Sequence, residues 1–129
     1  MTIRARQLTQ RVPYPSSWIR IESRQACDLA FEIADNVSGI RVDWAGHLPR
    51  FRVYSQVVDN AVVVEVTDPQ RCAFEQDGIW RLRLTAEETE LLPLGGMRFT
   101  LEHREPLGEY SQGIQGGFSC CEANRQKVQ

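Results

Sequence analysis

The sequence predicts an all-β fold, an antiparallel β-sandwich of seven to nine strands with one short helical turn; a jelly-roll sandwich is the second arrangement compatible with it. Three observations carry this. Short stretches alternate apolar and polar residues with the two-residue period of half-buried strands. Turn signals such as Asp35-Asn36-Val37-Ser38-Gly39 and Asp77-Gly78 punctuate them at strand-length intervals. No amphipathic stretch is long enough to serve as the crossover helix between parallel strands.

In chain order, residues 1–17 are expected to form an extended arm. Val12-Pro13-Tyr14-Pro15 cannot lie in a central strand, because each proline removes a ladder donor. The sandwich is expected to span 18–121, opening with a strand around Trp18-Ile19-Arg20-Ile21-Glu22. Cys27 to Ala34 is the clearest strand, with Cys27, Leu29, Phe31 and Ile33 on the core face. Ile40-Arg41-Val42-Asp43-Trp44 alternates again, and Ala45-Gly46-His47-Leu48-Pro49 breaks the pattern. Arg50 to Ser55 places Phe51 and Val53 inward, with Arg50, Arg52 and Tyr54 outward. Val62 to Val66 follows, then a loop or short strand around Cys72 and Phe74, then Ile79 to Leu84. Thr85-Ala86-Glu87-Glu88 has the form of a capping box, which predicts a helical turn over 86–92 that stops before Pro93. Met97 to Arg104 and Tyr110 to Ile114 form a last hairpin, and Gly116-Gly117 is expected to bend the second strand before Phe118. The tail 122–129 is polar. Phe31, Trp44, Val64, Trp80, Leu82, Phe99, Leu101 and Ile114 are the expected core.

Composition narrows the function. A hydrophobic content of 42% and a charged content of 25% are those of an ordinary globular domain, and 129 residues make one of them. A formal charge of −2 argues against a whole-domain nucleic-acid binder. The charge is uneven: residues 1–24 hold five arginines against Glu22, a net +4 that leaves −6 for the remainder. Lys127 is the one lysine among 15 basic residues, and arginine suits protein interfaces through its planar, bidentate head. The first residues lack the apolar run of a signal peptide, so the chain is expected to be made in the cytoplasm, where Cys27, Cys72, Cys120 and Cys121 stay reduced. No stretch approaches the length of a membrane span.

Chemistry-bearing patterns are weak. His47 and His103 have no spacing that names a partner, and no G-x-S-x-G elbow occurs. Beside the adjacent Cys120-Cys121 pair, a zinc site would need two more ligands converging from Cys27, Cys72, His47 or His103. Glu87, Glu88 and Glu90 fit caps on a short helix better than an acid–base pair. The chain is therefore expected to be no enzyme and to carry no catalytic residue, metal or cofactor. Trp44 and Trp80 are in phase with the apolar positions of their strands, which makes them core residues. Trp18 and Tyr14 are freer. The arm, through Arg4, Arg6, Arg11, Tyr14 and Trp18, is the expected partner-binding segment, since its charge opposes the rest and its prolines lower the entropy lost on docking.

The block Thr85-Ala86-Glu87-Glu88-Thr89-Glu90-Leu91-Leu92-Pro93, then Gly96, an aromatic-bearing strand, a glycine-containing hairpin and Gly113-Ile114-Gln115-Gly116-Gly117-Phe118 form a recognisable order. Over roughly residues 26–121 this resembles small immunoglobulin-like domains of tailed-bacteriophage virion proteins, of the kind found at the start of baseplate upper proteins. Met97 stands where that family more often has tyrosine. The resemblance implies an immunoglobulin-like sandwich and a non-enzymatic structural role in a phage particle, as head decoration or as a tail or baseplate accessory. It implies other virion subunits as partners and self-association or assembly-dependent binding, with no direct contact to nucleic acid or membrane. A soluble carbohydrate- or ligand-binding sandwich is the other class, resting on exposed aromatic residues.

Overall fold

The computed structural model describes residues 3–8, 18–56 and 61–122. Among the described residues nine strands form two packed sheets, joined by one short helix. In chain order they are β1 (Ile3–Gln7), β2 (Trp18–Glu22), β3 (Cys27–Asp35), β4 (Leu48–Ser55), β5 (Val62–Val66), β6 (Cys72–Glu75), β7 (Ile79–Leu84), α1 (Ala86–Leu91), β8 (Gly95–Arg104) and β9 (Ser111–Cys121). One sheet has the order β1-β3-β7-β6, the other β2-β9-β8-β4-β5. With β3 as strand B and β8 as strand F, these are the ABED and GFC sheets of the immunoglobulin sandwich, extended by β5 and by a β2 that joins the second sheet. The jelly-roll arrangement is excluded by that order. Pairing is antiparallel except where β2 lies parallel to β9.

Alternation places the core as the sequence predicts. Leu29 and Phe31 of β3 lie opposite Leu82 and Trp80 of β7, and with Ile33 and Leu84 all are buried. All eight expected core residues are buried; Phe99, Leu101, Trp80 and Leu82 are fully so. Phe31 lies opposite Trp80 in the ladder and stacks on it at 4.5 Å. From the other sheet Phe51 and Phe99 approach the same indole at 5.8 and 6.2 Å. Antibody domains tie strands B and F with a disulfide packed on a tryptophan. Here Phe31 and Phe99 occupy those two strands and Trp80 joins them. Its indole N–H donates to Cys72 Sγ at 3.4 Å, so the buried donor is satisfied.

Four expectations are corrected. Ile3–Gln7 is an edge strand, paired residue by residue with β3 from Ile3↔Asp35 to Gln7↔Phe31, because Ala5 is buried in the core and β3 offers an open edge. The remainder of the predicted arm, including Arg11 and Tyr14, lies outside the described residues. Residues 40–44 form no strand beyond a single bridge from Arg41 to Ala34. Asp35 Oδ1 accepts from the amides of Val37 and Ser38, and Gly39 takes a φ of +74°, so the chain is already turning and leaves Ile40 exposed. Pro49 does not end the alternation: it is the second residue of β4, where β5 has not yet begun to pair. Gly116-Gly117 does not interrupt β9, which stays in register with β8 through both glycines. Trp18 lies directly opposite Gly117, and a Cβ at Gly117 would overlap the indole ring.

The capping box forms as expected. Thr85 Oγ1 accepts from the Glu88 amide at 3.1 Å, and the Glu88 carboxylate accepts from the Thr85 amide at 2.9 Å. The hydroxyl of Thr89 donates to the carbonyl of Gln25, which ties α1 to the β2–β3 turn.

Candidate functional site

Of the predicted partner-binding residues, Arg4, Arg6 and Trp18 are described, and the structure does not bring them together. Arg4 and Arg6 flank the inward-facing Ala5 on β1, on the outer surface of the four-stranded sheet. Arg6 pairs with Glu32 at 3.0 Å, and Arg41 reaches the same carboxylate oxygen at 2.7 Å. Burial alone would raise the Glu32 pKa, but the two guanidiniums outweigh it and hold the carboxyl below its usual range. Trp18 belongs to the other sheet. It is 40% exposed and lies flat over Gly117.

The outer face of the five-stranded sheet carries what sequence reasoning missed as a unit. Arg50, Arg52 and Tyr54 point outward from β4, and Arg98, Thr100 and Glu102 from β8. The guanidinium of Arg98 lies over the Tyr54 ring at 4.1 Å. Tyr110, just before β9, receives Arg50 at 4.0 Å and Arg104 at 5.2 Å. Arg50 Nε donates to Glu102 at 2.7 Å and Arg52 Nε to Glu65 at 2.5 Å. Each long side chain is therefore fixed by a stack, an ion pair or both. The period-two alternation gave the outward direction of these residues. The register that sets Tyr54 beside Arg98 and Arg50 beside Glu102 is a long-range property.

At one end of the sandwich the β3–β4 connection meets the β8–β9 hairpin. Trp44 plugs the gap between the sheets, with Phe74 at 5.3 Å on one side and the His103 ring stacked at 4.1 Å on the other. His47 is fixed by its amide, which donates to the Trp44 carbonyl, and its Nδ1 stands 3.0 Å from Nδ1 of His103. Burial, then the neighbouring His47, lowers the pKa of His103, which favours its neutral form. A cavity of about 260 Å3 opens over the two rings, with Glu105, Glu109 and Ser111 also on its wall. Val37, Ile40 and Leu107 are exposed apolar residues of the two connections.

The remaining candidates stay apart. Glu88 is occupied by the cap and by an ion pair with Arg71. Trp44 and Trp80 are buried, so the tryptophans form no common stacking platform. Cys27 borders an apolar depression of about 410 Å3 with Leu84 and Ala86 at the opposite end, but burial pushes its thiol up to about 11, away from nucleophilic use. Among the described residues no three of His, Cys, Asp and Glu converge as a metal-holding group, and no helix is long and apolar enough to cross a membrane. The fold and the two surfaces define the chain as an immunoglobulin-type sandwich with an ordered arginine–tyrosine sheet face and a histidine-bearing loop end. No protein-family model and no curated protein matches it.

Proposed function

We propose that this chain is a non-enzymatic structural protein of a tailed-phage particle, as head decoration or as a tail or baseplate accessory, docking on other virion subunits through the outer face of its five-stranded sheet. The resemblance of residues 26–121 supplies the particle. The sheet face supplies the surface, and its ordering is the observation that carries the reading. Arginine and tyrosine are enriched in protein interfaces while lysine is depleted, and here Arg50, Arg98 and Arg104 are already stacked on Tyr54 and Tyr110. Side chains held before binding lose less entropy on docking. On this reading the sheet face, rather than the arm expected from residues 1–17, is the principal attachment surface.

The test is incorporation. The chain is co-produced with its genomic neighbours, particles are purified, and its copy number is measured by mass spectrometry. Wild type is expected at a fixed, symmetry-related copy number. Tyr54→Ala combined with Arg98→Glu is expected to remain folded by circular dichroism and to be lost from particles. A wild-type chain absent from purified particles overturns the reading.

Trp18 supports a second reading, a sugar-binding module. Its indole rests on Gly117 and the residue is 40% exposed, and an amphipathic aromatic side chain at the surface suits contact with a sugar ring. A glycan screen in which binding disappears with Trp18→Ala would favour it over the virion role.

A further inference from the structure

We propose that His47 and His103 form a two-point chelate for a first-row transition-metal dication of the nickel or copper type, clamping the β3–β4 connection to the end of β8. The carrying observation is the approach of the two Nδ1 atoms to 3.0 Å. Metal–imidazole bonds are roughly 2.0–2.1 Å long. Two nitrogens held cis at a right angle then stand about 2.9 Å apart, and at the tetrahedral angle about 3.3 Å. The observed 3.0 Å falls within the span of these two angles, and imidazole donors suit Cu(II) and Ni(II).

Three further features favour a chelate over a chance contact. The His103 ring is clamped by its 4.1 Å stack on Trp44, so its Nδ1 direction is set by packing. Gly113 makes the arrangement possible: a Cβ there would stand 2.8 Å from Trp44 and 3.2 Å from His103. The cavity over the pair, walled also by Arg104, Glu105 and Glu109, leaves room for water at the remaining positions, since among the described residues no third His, Cys, Asp or Glu converges on the two rings. Without metal, the 3.0 Å approach is an N–H···N hydrogen bond, one imidazole donating to the other. On chelation the donor ring keeps its proton by moving it from Nδ1 to Nε2. The proton stays on that ring, and both Nδ1 lone pairs become available to the cation.

The site was not legible in the sequence because 56 residues separate the two histidines and neither lies in a ligand spacing. The arrangement offers two protein ligands rather than three, which sets the expectation of modest affinity and of exchange with free metal.

The experiment uses the full chain at neutral pH with Ni2+ as the probe. Equilibrium dialysis is expected to give one bound Ni2+ per chain, and the unfolding midpoint is expected to rise with Ni2+ concentration. The chain has two histidines, so long-range proton–nitrogen spectra hold two imidazole systems. Both are expected to broaden together at substoichiometric Ni2+. His47→Gln, on the less confined of the two rings, is expected to weaken binding by about tenfold or more, since loss of even an outer partner of a metal ligand costs 10–100-fold. Three results would each overturn the proposal. One is no binding by the wild type at about 1 mM Ni2+, against modest two-ligand affinity. Another is broadening of a single ring. The third is Ni2+ affinity unchanged in His47→Gln, which would place the metal on the thiols.

Discussion

Gly117 shows how one missing atom shapes a surface. In the sequence it belongs to a Gly-Gly pair, which reads as a bend; in the fold it is the flat seat of Trp18 across a parallel strand pair. Such a use depends on a partner 99 positions away in the ladder, and no local pattern reveals it. Gly117→Ala is expected to lift the indole off the sheet and cost roughly 1–3 kcal/mol, the range for overpacking. Urea unfolding would measure this, and tryptophan emission should shift to the red, because Trp44 and Trp80 are buried and Trp18 is the indole that moves. In a Trp18→Ala background the same glycine change should cost far less. Glu32 gives a second prediction. Its folded pKa is lowered from the ordinary 4.5 by Arg6 and Arg41 against the opposing effect of burial. A depressed carboxylate contributes stability that is present above the unfolded value and is lost as pH falls through the folded one. Wild type should therefore lose this contribution progressively below about pH 4.5. Glu32→Gln should be less stable at neutral pH by roughly 1 kcal/mol and show a shallower acid dependence in the same window. Equal slopes for the two proteins below that pH would remove Glu32 from the acid response.

The elements differ in how far the sequence discloses them. Strands β3, β4, β7 and β8 alternate cleanly, because each has one face on the core and one on solvent, and their inward residues were predictable one by one. The helix α1 was legible from Thr85 and Glu88 alone, since a capping box is a local device. What escaped was set by partners distant in sequence. β1 alternates weakly and buries little besides Ala5, so its place in the sheet comes from the open edge of β3. Residues 40–44 alternate well, yet Arg41 is drawn to the Asp77 carbonyl and to Glu32, and the segment folds back against the end of β3. If β1 is structural, deletion of residues 1–7 should lower the unfolding midpoint by at least about 4 °C, the shift that roughly 1 kcal/mol produces in a domain near this size. An unchanged midpoint by differential scanning calorimetry would return β1 to the role of a free arm.

At the scale of the molecule, the core and the proposed docking surface occupy different sides of the same sheet. Inward from β8 and β4 lie Phe99, Leu101, Phe51 and Val53, fully buried; outward lie Arg98, Glu102, Arg50, Arg52 and Tyr54, partly exposed. The binary pattern discloses which residues take each side. It does not disclose the candidate site, because neither the arginine–tyrosine stacks nor the His47–His103 approach exists until β4, β8 and the two connections are in register. The division has a measurable consequence. Phe99→Ala removes a ring that touches Trp80 and Phe51 in a core with no solvent access, and it should cost roughly 3–5 kcal/mol in urea unfolding. Tyr54→Ala on the opposite side of the sheet breaks a partly exposed cation–π stack with Arg98, and it should cost no more than about 1 kcal/mol. Measured together, the pair separates fold from surface: any loss of partner binding in Tyr54→Ala then belongs to the face itself. Were Tyr54→Ala to destabilise as much as Phe99→Ala, the outer face would be part of what holds the sandwich together, and its arginine–tyrosine order would no longer argue for docking.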